Sequence, residues 1–224
     1  MNNQIAVAIL YLFAIALLLI FNELIYRRLG LKGEITRKFA HFTATLSTVT
    51  FPYLFTDHWY ILLLALVFFI VLFISRNGTQ LKSIHDIDRK SAGSYLLPIS
   101  IYLTFLISNL LDNKILYILP VIILAVCDPM AGILGINLKK SNHNIELFGI
   151  KTKKTVLGSG SFLLSSFIIC LIALYFNRMV FDFKTFWLSL VIAVVSTLAE
   201  MISWRGSDNL FIPISVIAMM ILFL

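Results

Sequence analysis

One acid sits where a membrane chain has least reason to keep charge, and two more stand at the boundary of its apolar runs. Asp128 lies inside the apolar run ILYILPVIILAVCDPMAGILGINL (residues 115–138), and Glu200 and Asp208 flank the end of another apolar stretch in TLAEMISWRGSDNLFIPI (197–214). A carboxylate at the depth of Asp128 costs about 2.5–3.5 kcal/mol on insertion scales, so that position points to a functional role; Asp208 also suits an ordinary helix cap, and Glu200 has Arg205 as a local ion-pair partner. Between Asp128 and Glu200 comes KTKKTVLGSGS (151–161), with Lys154, Thr155, Gly158 and Ser159 just ahead of an apolar helix. Glycines let backbone N–H groups approach phosphate oxygens, and a helix N-terminus favours an anion. The Walker A order is absent, so this is no P-loop. Hard cations such as Mg²⁺ use one or two carboxylates together with phosphates. The chemistry these residues could do together is to hold a metal and a polyphosphate.

Two further polar clusters accompany them. In GEITRKFAHF (33–42), Arg37 and His41 are four apart and share a helical face, and Glu34 has Lys38 at the same spacing. The plain structural account is a helix start with one internal ion pair; the functional one is that Arg37, Lys38 and His41 steady a phosphate. In HDIDRKSAGSYLLPIS (85–100), Arg89 and Lys90 close a long connection running from Arg76, and Gly93 and Pro98 flank Tyr95. A connection of that length in so compact a chain is usually functional or disordered.

The elements that position these clusters follow from composition. The 224-residue chain is 60% apolar with a mean hydropathy of +0.96, against about 45–50% apolar for soluble domains. Spans of roughly 20 apolar residues are expected near 5–26, 39–55, 58–75, 94–111, 115–136, 157–176, 185–202 and 209–224. The expected fold is an all-α polytopic membrane bundle of about eight transmembrane helices, one membrane domain over 1–224. The N-terminal run reads as a first span rather than a removable signal peptide. Cys127 and Cys170 fall inside spans and read as small apolar fillers.

With eight spans, all of the 18 Lys and Arg residues except Lys114, Arg178 and Lys184 fall on one side. Positive-inside sorting makes that side cytoplasmic and both termini extracytoplasmic. Most of these cations serve as anchors at lipid phosphates. The net charge of +7 suits a membrane surface, and no nucleic-acid-binding module is visible. Pro129 disfavours a helical conformation at Asp128, and Asp and Pro are favoured as N-cap and first helical residue. A break is therefore expected there, with residues 129–137 as a separate half-helix lining a cavity. Asp128, Gly132 and Gly135 recur at helical spacing, and the two glycines serve equally well as helix-packing positions.

At these residues the chain resembles the CTP-dependent lipid-alcohol kinases, which include dolichol kinase, phytol kinase and the fungal-type diacylglycerol kinase. The matching pieces are Arg37-Lys38-x-x-His41; Arg89-Lys90-Ser91-x-Gly93 with Tyr95 and Pro98; Asp128-x-x-Ala131-x-x-x-Gly135; Lys154-Thr155-x-x-Gly158-Ser159; and Glu200 followed by Asp208-Asn209-Leu210-x-x-Pro213. They occupy about 34–41, 89–98, 128–161 and 200–213. Many members carry a basic residue after the glycine matching Gly135 and a Gly-Lys shortly beyond; this chain has Ile136 and then Lys139-Lys140.

The resemblance implies transfer of the γ-phosphate of CTP to the hydroxyl of a membrane lipid: a polyprenol or dolichol, a phytol-like alcohol or a diacylglycerol. It implies Mg²⁺ on the triphosphate, held by Asp128 and Asp208, with Glu200 as a further metal ligand or the base. Lys154, Thr155, Gly158, Ser159, Gly135, Arg89, Lys90 and Asn209 would serve the nucleotide and its phosphates, and Arg37, Lys38 and His41 the transferring group. The partners are then the bilayer, its lipid alcohol and a nucleotide, with the site of an integral cytoplasmic-membrane protein facing the cytoplasm. On this reading Asp128→Asn removes turnover and leaves folding intact. The nearest alternative, phosphatidate cytidylyltransferase, has His-Gly-Gly and Asp-Arg-x-Asp elements that this chain lacks. A small transporter is a more distant one, since no inverted repeat is visible.

Overall fold

The computed structural model describes residues 2–29, 34–76, 81–85, 91–137, 143–147 and 150–223. Apolar runs become helices because lipid offers backbone groups no partner and a helix satisfies them internally. The elements are α1 (Asn2–Leu29), α2 (Glu34–Ser47), a 3-10 turn (Thr48–Thr50), α3 (Phe51–Leu54), α4 (His58–Ser75), α5 (Lys82–His85), α6 (Gly93–Leu110), α7 (Ile115–Asn137), β1 (Asn144–Leu147), β2 (Ile150–Thr155), α8 (Val156–Arg178), α9 (Phe183–Ile202) and α10 (Asp208–Phe223). Six of these, α1, α4, α6, α7, α8 and α9, are long and apolar enough to cross a membrane, whereas α10 is shorter. The expected span at 39–55 is instead three pieces, α2, the 3-10 turn and α3. Its first piece is amphipathic, with Lys38, His41 and Thr45 buried on one face, and Pro52 starts the last.

Of the six long helices α7 is the most buried. Its Leu119, Ile123, Leu124 and Cys127 pack with Phe162 and Cys170 of α8, Ile192 of α9 and Val216 of α10. A second cluster joins Phe51 and Phe55 to Ile61, Phe105 and Tyr117. By contrast α1 buries only a narrow stripe, including Ala8 and Ile15, and leaves Leu10, Phe13 and Leu17 exposed on its outside. Buried hydroxyls such as Ser189, Ser196 and Thr197 bond back to carbonyls three or four residues earlier, so they cost the interior little.

Two expectations are corrected here. Helix α7 runs unbroken through Pro120 and Pro129, so residues 129–137 form no separate half-helix and Asp128 is not its cap. Pro129 removes the bond that a residue there would give the Ala125 carbonyl, a loss that a packed bundle tolerates. Side chains of α2 reach the carbonyls on either side of it: Lys38 Nζ lies 3.3 Å from that of Asp128 and His41 Nε2 3.3 Å from that of Leu124. The connection before α8 also contains a hairpin, β1 pairing antiparallel with β2, in a chain expected to be all-α.

The α9–α10 turn docks on the start of α6. Ala92 donates its N–H to the Arg205 carbonyl at 2.7 Å, and Gly206 has φ of +91°, with an added Cβ only 2.3 Å from the Gly93 nitrogen. Left-handed backbone costs a non-glycine residue about 1–2 kcal/mol and forced overpacking about 1–3 kcal/mol. Gly206→Ala is therefore expected to destabilise the protein by about 2–5 kcal/mol, read as a lower Tm in detergent; an unchanged Tm would refute the close docking.

Candidate active site

All the described polar clusters meet at one end of the bundle, where α2, α6, α8 and α10 begin and α7 and α9 end. Two ion-paired groups form its centre. In the first, Lys38 Nζ lies 2.5 Å from Asp128 Oδ2, and His41 Nε2 lies 3.6 Å from the same oxygen. Asp128 is 3% exposed and Lys38 6%. Gly132 makes this reach possible, because a Cβ there would stand 2.8 Å from the Lys38 Cε. The expected Glu34–Lys38 spacing is superseded, since Glu34 takes Arg37 at 2.5 Å and Lys38 crosses to α7.

In the second group Lys154, at the end of β2, bridges two helices. Its Nζ lies 2.6 Å from Glu200 Oε1 and 3.2 Å from Asp208 Oδ2. Ser159 donates to the other Glu200 oxygen at 2.9 Å. Glu200 therefore pairs with Lys154 rather than with Arg205, its sequence neighbour. Burial works against a charged ammonium here, but the carboxylates of Asp208 and Glu200, with Asp128 beyond them, outweigh it and hold Lys154 above the ordinary lysine range.

Other residues singled out from sequence frame these groups. Thr155 caps α8, its Oγ1 accepting from the Gly158 N–H at 3.2 Å, so that N–H is occupied by the cap. Gly135 and Gly158 let α7 and α8 approach: a Cβ on Gly135 would meet Thr155 Oγ1 at 2.8 Å, and one on Gly158 the Ala131 carbonyl at 2.9 Å. The packing role of Gly135 is thus direct. Asn209 is buried and donates to the Gly93 carbonyl at 2.7 Å. Arg89 and Lys90 lie outside the described residues, as do Lys139 and Lys140.

Beside the charged centre lies a cavity of about 380 Å³ between α1, α2, α4 and α6. Its walls are apolar, with Leu19, Ala44, Phe51, Leu64, Phe68 and Ile101 among them, and its polar end carries Arg37, His41, Arg76, Ser91 and Asn209. The short helix α5 closes one side. Ile84 lines the cavity, while the Ser83 N–H donates to Glu23 at 2.9 Å and Thr36 donates to the Ser83 carbonyl at 3.1 Å. Arg76 was not singled out from sequence; as the first cation after an apolar run it carries only the signature of an anchor.

A cation of the kind the resemblance implies can be tested against this donor set. Among the described residues no three His, Cys, Asp or Glu side chains converge to hold a metal by themselves. The carboxylates of Asp128, Glu200 and Asp208 are instead each matched by a lysine. That set fits Mg²⁺ arriving on a nucleotide, since such an ion takes one or two carboxylates and completes its shell with phosphate oxygens and water.

Fold and site together define a polytopic helical membrane protein with a buried, ion-paired polar centre at one end and an apolar chamber beside it. No family model, curated protein or solved structure matches the chain.

Proposed function

We propose that this protein is a membrane-embedded kinase that moves the γ-phosphate of CTP to the hydroxyl of a lipid alcohol. The observation that carries the reading is the position of His41: it lines the apolar chamber and also lies 3.6 Å from Asp128 in the charged centre. A lipid whose tail fills the chamber presents its hydroxyl at that junction. In the reaction the lipid oxygen bonds to the γ-phosphorus, the bond from that phosphorus to the β-phosphate oxygen breaks, and CDP leaves. Phosphoryl transfer asks chiefly for positioning and charge neutralisation, which is what these residues offer.

In this scheme Asp128 and Asp208, with Glu200 near, hold the Mg²⁺ that neutralises the triphosphate. Lys154 turns from its carboxylates to the phosphates, assisted by Ser159 and Asn209. His41, oriented by Asp128, holds the hydroxyl and takes its proton. Arg37 faces the phosphate as it arrives on the lipid. The α2–α3 segment and α10 complete eight crossings, placing both termini outside and the site at the cytoplasmic face of the cytoplasmic membrane.

The test is to supply γ-labelled CTP and Mg²⁺ with a panel of polyprenol, phytol-like alcohol and diacylglycerol. Label is expected in a lipid monophosphate. Label in pyrophosphate would instead identify a cytidylyltransferase, and label in neither would overturn nucleotide-dependent lipid chemistry.

A further inference from the structure

Arg76 differs from the other cations near the site. Arg37, Lys38 and Lys154 all have acid partners within 3.2 Å, while Arg76 has no carboxylate partner among the described residues. It follows the last residue of α4, lines the mouth of the chamber, and holds its guanidinium carbon 5.7 Å from the centre of the Tyr95 ring. An aromatic face at that distance orients a guanidinium while leaving its N–H edge free to bind. Among the described residues no Asp or Glu lines the chamber. Its polar end is therefore complementary to an anion, and a lipid hydroxyl leaves that charge unanswered.

The shape of the chamber narrows the occupant. Its lining residues run along α4 from Ile61 to Leu72 and on to Arg76 just past the helix, about 22 Å at the helical rise per residue. A volume of about 380 Å³ is at the small end for ligand pockets, and drawn out along that length it suits one hydrocarbon chain better than two.

We propose that the chamber binds a single-chain lipid monophosphate and that Arg76, held by Tyr95, is the specificity-determining contact to its phosphate. This rests on the kinase reading insofar as such a lipid is that reaction's product; the binding itself needs no nucleotide. Arg76 would then retain the new phosphate as it leaves the Lys38–Asp128 centre, and product release would depend on it.

The test uses the full chain in phosphatidylcholine nanodiscs without nucleotide, titrated with farnesyl monophosphate, farnesol, phosphatidic acid and inorganic phosphate. Farnesyl monophosphate is expected to bind about 10-fold or more tighter than farnesol, the scale of one charge-assisted bond. Arg76→Gln should lower its affinity about 10-fold or more and leave that of farnesol within about twofold, with Arg76→Lys recovering part of the loss. The same affinity for farnesyl monophosphate in Arg76→Gln and the unaltered protein would make Arg76 an anchor and overturn the proposal. So would phosphatidic acid binding as tightly, or inorganic phosphate competing at equal concentration, which would mean two chains or a free-anion site. Preferential binding of farnesyl monophosphate in a protein that moves no label from CTP would overturn the kinase reading alone.

Discussion

Asp128→Asn is expected to lower lipid phosphorylation by about 10³-fold and, in the same protein, to lower its thermal stability. The second effect reverses what the sequence suggested, namely that folding would be untouched. Asp128 is the buried counter-charge of Lys38, 2.5 Å away, and removing one partner of a buried pair costs about 3–5 kcal/mol because the other charge is left unmatched. Loss of activity in the single variant is therefore ambiguous between chemistry and folding. The double variant Lys38→Met, Asp128→Asn resolves it. Replacing both members of a buried pair by neutral groups is often close to neutral, so most of the lost Tm should return while transfer stays at background. Turnover within about tenfold of the unaltered protein in either variant would remove Asp128 from the reaction.

What could be read from sequence, and what could not, divides along the range of the interactions. Six long apolar helices and the gathering of the described polar clusters at one end follow from local composition and from where charges interrupt apolar runs. Pairing does not. Lys38 and Asp128 are 90 residues apart and Lys154 and Asp208 are 54 apart, so each lysine's choice of acid depends on which elements pack together. Helical spacing gave Glu34 a choice of Arg37 or Lys38, and the pull of Asp128 on Lys38 decides it.

The misread break at Pro129 has a similar origin. The local steric rule is sound, yet α7 is enclosed by α2, α8 and α10, and packing there outweighs one missing backbone bond. Only the first strand of the hairpin had a local signature: Asn144–Leu147 alternates polar and apolar residues, whereas Ile150–Thr155 has a single apolar residue, Ile150, and no period-two pattern. The chamber, lined by scattered residues from α1 through α6 and by Asn209 of α10, has no local signature at all.

Lys154→Met is expected to abolish transfer and to create a response to magnesium that the unaltered protein lacks. In the nucleotide-free protein the Lys154 ammonium stands between Glu200 and Asp208, at 2.6 and 3.2 Å from their oxygens, and so occupies the place a divalent cation would take. Removing it leaves two acids on adjacent helix ends without their shared counter-charge. The variant should be less stable than the unaltered protein in chelator, through the same uncompensated burial that affects Asp128→Asn. It should regain stability as Mg²⁺ is added without nucleotide, because binding only to the folded state stabilises by about 2.7 kcal/mol at a hundredfold excess over Kd. That is about 5–10 °C in Tm for a chain of this size. The unaltered protein should respond to Mg²⁺ only together with CTP, when phosphates draw Lys154 away. No Mg²⁺ response in Lys154→Met would show that Glu200 and Asp208 do not form a cation site. A shift reproduced by NaCl at equal ionic strength would reveal screening in place of coordination, and Asp128 alone would then carry the metal assignment.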